Sequence, residues 1–105
     1  LNMNFMPDLR EVEMIRHKVH IQKFIKYLIE DGPIAYGADL VKALDSNAVD
    51  VLLLSENLEE DDIDEMYEQA KKQGSTVEII SDDFEEGFQL WNTFKGKAAI
   101  LRYRM

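Results

Sequence analysis

The 105-residue chain contains no cysteine, so disulfides and thiolate metal sites are excluded, and a reducing cytoplasm is a compatible setting. No apolar run approaches the ~20 residues of a membrane span, and no basic start leads into an apolar signal-peptide centre. Glycine is sparse: Gly32, Gly37, Gly74, Gly87 and Gly96 never cluster into a phosphate-cradling loop, and no Walker lysine follows any of them. Positive charge is scarce as well. Twelve Lys and Arg face twenty-one Asp and Glu, a net charge of −9. Nucleic-acid affinity rests on neutralising phosphates with basic side chains, so no direct nucleic-acid binding is expected of such a domain.

What is present reads as one α/β domain. The first seven residues look like a disordered lead-in or an artificial start, and residues 8–105 like a single domain near the commonest size. From Asp8 to Asp31 apolar residues recur at helical spacing, with Ile21, Phe24, Ile25 and Leu28 on one face and Val12, Ile15 and Val19 before them. Gly32-Pro33 is expected to end that helix, the glycine serving as its cap. Ile34-Ala35-Tyr36 is a short extended piece, and Gly37 opens a second helix, Asp39 to Ser46, with Leu40, Val41 and Leu44 inward. Val49 to Leu54 is an almost unbroken apolar strand, which implies burial on both faces. A third helix is expected from about Asp61 to Gln73, with Ile63, Met66, Tyr67 and Ala70 inward, and a strand at Thr76–Ile80.

Asp82 and Glu85 have capping-box spacing for a fourth helix, whose inner face is read as Phe84, Gly87, Phe88 and Trp91. The last strand runs from Ala98 to Tyr103. Strands alternating with helices predict a three-layer α/β/α sandwich around a mixed or parallel sheet.

Few constellations carry chemistry. His17 and His20 sit three residues apart, but no second pair of ligands completes a metal shell, so they read as polar-face histidines and no metal site is expected. Ser46, Ser55, Ser75 and Ser81 lie at element ends, where capping is the ordinary role, and none sits in a G-x-S-x-G elbow. No catalytic residues and no cofactor are expected. The acidic blocks Glu59–Glu65 and Asp82–Glu86 fall where helices begin and complement their dipoles.

The end of the chain is different. Lys95, Lys97, Arg102 and Arg104 are four of the twelve basic residues, all within the last eleven positions. They are expected to form a positive rim at a sheet edge, beside Trp91. Such charges either guard an exposed edge or serve a partner.

Three stretches together resemble one family. These are Ala35-Tyr36-Gly37 with the segment Ala48 to Leu58; Val77 to Ser81 with Glu85-Glu86-Gly87; and Phe94, Gly96 and Ala98 to Arg104. The pattern is similar to the C-terminal domain of the archaeal and eukaryotic class-1 peptide chain release factor, with Pelota, the ribosome-rescue factor, as a close relative. The resemblance implies a fold shared with kink-turn-binding ribosomal proteins: a three-layer α/β/α sandwich with a mixed four-stranded sheet. It implies a cytoplasmic docking role in translation termination. The partners would be a translational GTPase of the elongation factor 1A type, an ABC-type ribosome recycling ATPase, and the ribosome through the full-length factor.

Trp91, Lys95, Lys97, Arg102 and Arg104 are the candidate partner-binding residues. Three departures stand out. Lys95 and Lys97 flank Gly96 where the family usually has two glycines and an apolar residue. Leu58 leads almost directly into the third helix, so the small inserted domain of many release factors is missing, as in Pelota. The Glu85-Glu86-Gly87 stretch and the Arg-Tyr-Arg ending lean instead towards the release factor. An RNA-binding module of the same fold and a small hydrolase are the rival readings; no Gly-Gly-Gln occurs, so peptide release is not expected of this chain alone.

Overall fold

The computed structural model describes residues 9–104. The expected lead-in, residues 1–7, lies outside the described residues. Eight elements alternate along the chain: α1 (Leu9–Glu30), β1 (Ile34–Tyr36), α2 (Ala38–Asp45), β2 (Val49–Ser55), α3 (Glu60–Lys72), β3 (Thr76–Ile80), α4 (Glu85–Phe94) and β4 (Lys97–Leu101). The strands form one mixed sheet in the order β1-β4-β2-β3. β4 is antiparallel to β1 and β2, and β2 is parallel to β3, so β1, β2 and β3 all point the same way.

Two cores form, one on each face of the sheet. Ile21, Phe24 and Leu90 from α1 and α4 cover Val51, Leu53, Ala98 and Ile100, while Leu40, Ala43, Leu44 and Ala70 from α2 and α3 cover Leu52, Leu54, Ala99 and Leu101. Successive strand residues point to opposite faces, so an unbroken apolar run such as Val51–Leu54 feeds both cores at once. One irregularity corrects the parity. Val49 pairs with Leu101 and Val51 with Ile100, so Asp50 is an extra bulged residue left exposed to water. Val49 and Val51 thereby reach opposite cores. Phe24 and Ile21, each 1% exposed, contribute roughly 1.5–3 kcal/mol apiece by leaving water. Phe24, Tyr36 and Phe94 add edge-to-face ring contacts at 5.0–6.1 Å.

Several sequence expectations need correction. β4 is an interior strand, not a sheet edge: Ala98 and Ala99 are fully buried, and their small side chains let helices approach from both sides. Val41 and Tyr67 face water at 62% and 40% exposure, and Ala43 takes the inward place on α2. Phe88 is 47% exposed; Leu90, with Gly87, is the buried residue of α4. At the end of α1 the left-handed residue is Asp31 (φ 59°), and Gly32 follows it under the Tyr27 ring. No side-chain cap forms at α4, whose N-cap is Phe84. Gly87 has a separate reason to be glycine: a Cβ there would lie 1.9 Å from the Ser81 carbonyl oxygen.

Candidate functional site

The carboxyl ends of β1, β2 and β3 meet at one end of the sheet, where open α/β sheets commonly place their ligands. A groove of about 710 Å³ opens there. Its apolar lining is Trp91, Phe94 and Leu58; Lys95 and Lys97 form a basic side, and Glu59 and Asp62 at the start of α3 an acidic one. Trp91 is 38% exposed, with an aromatic face available to a partner. Neither lysine joins an ion pair among the described residues.

The turn that carries the lysines is tightly specified. Lys95 ends α4 in the left-handed conformation (φ 61°), and Gly96 follows at φ 81°. The Gly96 amide donates to the Leu90 carbonyl at 2.9 Å, and the Gly96 carbonyl accepts from the Ser55 amide at 2.8 Å. A Cβ at Gly96 would press on Leu58 and Ser55 at 3.1 Å, so the glycine lets the turn sit on the β2–α3 loop. Lys95 has no such excuse. A β-carbon in the left-handed region costs about 1 kcal/mol or more. The chain carries a strained, exposed lysine at the lip of the groove.

Arg102 and Arg104 lie elsewhere. β4 carries them to the opposite end of the sheet, with Lys97 and Arg102 five residues apart, or about 17 Å along a strand. There Arg102 donates to the Gln73 carbonyl at the end of α3 (2.5 Å), Tyr103 Oη to the Ser46 carbonyl at the end of α2 (3.2 Å), and Arg104 to Asp31 just beyond α1 (2.5 Å). Each residue of the Arg-Tyr-Arg ending therefore closes off a different helix, and the two cations sit where helix dipoles are negative. Of the five candidate residues, the structure brings Trp91, Lys95 and Lys97 together and separates the two arginines from them.

His17 is a further correction. It is 8% exposed, on the same face of α1 as Ile21 and Phe24, and its Nε2 lies 3.2 Å from Glu78 of β3. Arg16 Nε donates to the same carboxylate oxygen at 3.1 Å. Burial lowers the imidazole pKa below its ordinary value and Arg16 adds to that, against the raising pull of Glu78. His17 is thus set against a carboxylate in a buried position, where desolvation disfavours the charged imidazole more than Glu78 favours it. Among the described residues neither histidine belongs to a cluster of three possible metal ligands. Glu56, Asp82 and Asp83 do approach within 4.8 Å of one another, but as exposed or half-exposed carboxylates without a nitrogen donor. No described helix is long and apolar enough to cross a membrane.

Sequence reasoning missed the far wall of the groove. Gly37, Asn57 and Leu58 come from two other loops, and only the pairing of β1 and β2 with β4 brings them to the Lys95 turn.

Fold and groove together define a three-layer α/β/α module with an amphipathic recess at the carboxyl ends of its parallel strands. The family described as eRF1 domain 3 matches residues 14–105, and the chain belongs to that family. Peptide chain release factor subunit 1 of Archaeoglobus fulgidus is 33% identical over 91% of this chain and 34% of its own length. The C-terminal domain of the Methanosarcina mazei peptide chain release factor superposes with a TM-score of 0.85 at 32% identity, covering 92% of this chain and 88% of that one. A. fulgidus Pelota superposes with a TM-score of 0.79 at 29% identity, covering 90% and 31%. The chain thus spans about a third of the length of the release factors it matches. The A. fulgidus alignment extends over 138 positions, yet 91% of 105 residues is about 96, so some 40 positions are occupied only in the relative.

Proposed function

We propose that this domain is the partner-docking part of a translation termination factor, and that the groove beside Trp91 receives a translational GTPase of the elongation factor 1A type. The observation that carries the reading is the Lys95 turn. Two lysines without an ion pair among the described residues and a partly exposed tryptophan stand together on a pinned but strained support, at the end of the sheet where open α/β folds bind. Trp91 is the aromatic anchor, and Lys95 and Lys97 meet acidic groups of the partner, which favours encounter and register. Arg102 and Arg104, first candidates for the same surface, are assigned in this reading to the ends of α3 and α1, with Tyr103 at the end of α2. The recycling ATPase of the ABC type is proposed to approach the same side, and the ribosome is engaged through the full-length factor in the cytoplasm. The domain itself performs no catalysis in this reading and needs no cofactor.

Isothermal titration against the archaeal elongation factor 1A in its GTP form tests the assignment. Saturable binding in the micromolar range supports it. A folded sample that shows no heat at high micromolar concentration overturns it.

One observation favours Pelota as a second reading: the ~40 positions present in the release factor and absent here. A Gly-Gly-Gln motif encoded upstream in the same reading frame would decide for the release factor. The RNA-binding alternative predicts tight, steeply salt-dependent retention of RNA in filter binding, which the net charge of −9 opposes.

A further inference from the structure

A second recess lies across the β2–α3 loop from the first. It is a cleft of about 430 Å³ between the first half of α1 and the end of β3, within the size range of natural binding pockets. Its walls are apolar: Met14 and Ile79 stand 37% and 38% exposed, and Phe84 closes one end. Among the described lining residues its rim is mainly acidic, with Glu11, Glu13, Glu56 and Asp83 against Arg10, while Lys18 lies over the Phe84 ring and Arg16 is paired with Glu78. The floor is His17, already held by Glu78. The walls are preformed, because Asn57 Nδ2 donates to Asp82 at 2.7 Å and the Glu56 amide donates to the Ile80 carbonyl at 2.9 Å. The loops on either side are thereby tied to each other and to the sheet.

From this arrangement we infer that the α1–β3 cleft is a second docking surface, for a protein segment that presents a basic side chain beside an apolar one. An apolar residue of the partner would cover Met14, Ile79 and Phe84, and its neighbouring Lys or Arg would meet Glu13, Glu56 and Asp83. Nucleic acid is repelled by the same carboxylates. An all-apolar segment would leave the acidic rim without compensation as it lost water. The volume admits two or three side chains, so the contact is a short anchor. The inference is independent of the groove beside Trp91.

Fluorescence anisotropy with a labelled, capped hexapeptide of alternating leucine and lysine tests this at low salt, alongside versions with glutamine or glutamate in place of lysine. The lysine probe is expected to saturate, and to bind at least about threefold more tightly than the glutamine probe. Two changes should each weaken it by about that factor: the double variant Glu13→Gln/Asp83→Asn, and Met14→Gln. Asp61→Asn/Glu65→Gln alters net charge equally on the far helix α3 and should leave binding unchanged. All five positions are exposed, and circular dichroism of each variant confirms folding. Equal binding of the lysine and glutamine probes, equal weakening by the α3 pair, or indifference to Met14→Gln overturns the inference, as does the absence of saturation.

Discussion

The two ends of the sheet are built on opposite terms. At the far end each side chain of the Arg-Tyr-Arg terminus makes a hydrogen bond within the protein: three consecutive side chains reach the ends of α2 and α3 and the residue after α1. At the near end two lysines, five and seven residues before Arg102, find no ion-pair partner among the described residues, an aromatic ring is partly exposed to water, and one lysine sits in a backbone conformation that glycine would occupy at less cost. The same basic chemistry is closed in one place and open in the other. A satisfied end contributes to stability, whereas the unsatisfied, strained end is the one proposed here as the docking surface.

Trp91→Ala should break the comparison most sharply. If the open end is a docking surface, truncating its aromatic anchor should cost about 2 kcal/mol of binding, roughly a thirtyfold loss of affinity for the GTPase in titration calorimetry. Because Trp91 is 38% exposed, the thermal midpoint should also fall, but by less than for a fully buried ring. A large fall in stability with unchanged affinity would make Trp91 a core residue and empty the open end of its meaning.

Lys95→Gly separates the two quantities. Removing a β-carbon from the left-handed region should stabilise the fold by about 0.5–1 kcal/mol, a rise of several degrees in thermal midpoint for a domain of this size. Loss of the cation should weaken partner binding severalfold. Stability and affinity should thus move in opposite directions; if they move together, Lys95 is there for the fold.

At the closed end the expected effects are smaller and of the other kind. Arg102→Ala removes a charge-assisted hydrogen bond to the α3 terminus and should cost about 0.5–1 kcal/mol of stability, the range for exposed charged contacts. Arg104→Ala should cost less still, because Asp31 is 93% exposed and water screens the pair. Neither change should alter the titration against the GTPase. A binding defect in Arg102→Ala, in a sample of normal stability, would restore the arginines to the partner surface.

Why these contrasts were only partly legible in the sequence is a matter of which signals are local. The apolar run of β2 announced a strand buried on both faces, and the same density in Ala98–Leu101 marks β4 as interior; the cluster of basic residues around it drew attention to an edge instead. Helical spacing located α1 to α3 within a residue or two, because that periodicity is written in consecutive residues. It also places His17 four residues before Ile21 and seven before Phe24, a buried position that its polarity concealed. Phe88 and Val41 were misassigned for the converse reason: hydrophobicity alone does not say on which side of a helix the sheet lies. The groove depended on strand order, which no local pattern encodes. Lys97 and Arg102 are close in sequence, and an extended strand sets them at opposite ends.

The smallest expected effect concerns pH, and it follows from His17. Burial holds its imidazole below the ordinary value of 6.5 in the folded protein. Below about pH 6.5 the unfolded chain takes up this proton while the folded chain does not, so protonation favours unfolding. The contribution to stability is therefore complete above pH 6.5 and declines as pH falls through the window beneath it. Urea midpoints measured from pH 7.5 to 5.0 should fall across that window. His17→Gln, which keeps a donor near Glu78 but cannot be protonated, should be less stable at pH 7.5 yet show a shallower decline. If wild type and variant lose stability with the same slope, the acid sensitivity belongs to carboxylates elsewhere, and the His17–Glu78 pair is no more than packing between α1 and β3.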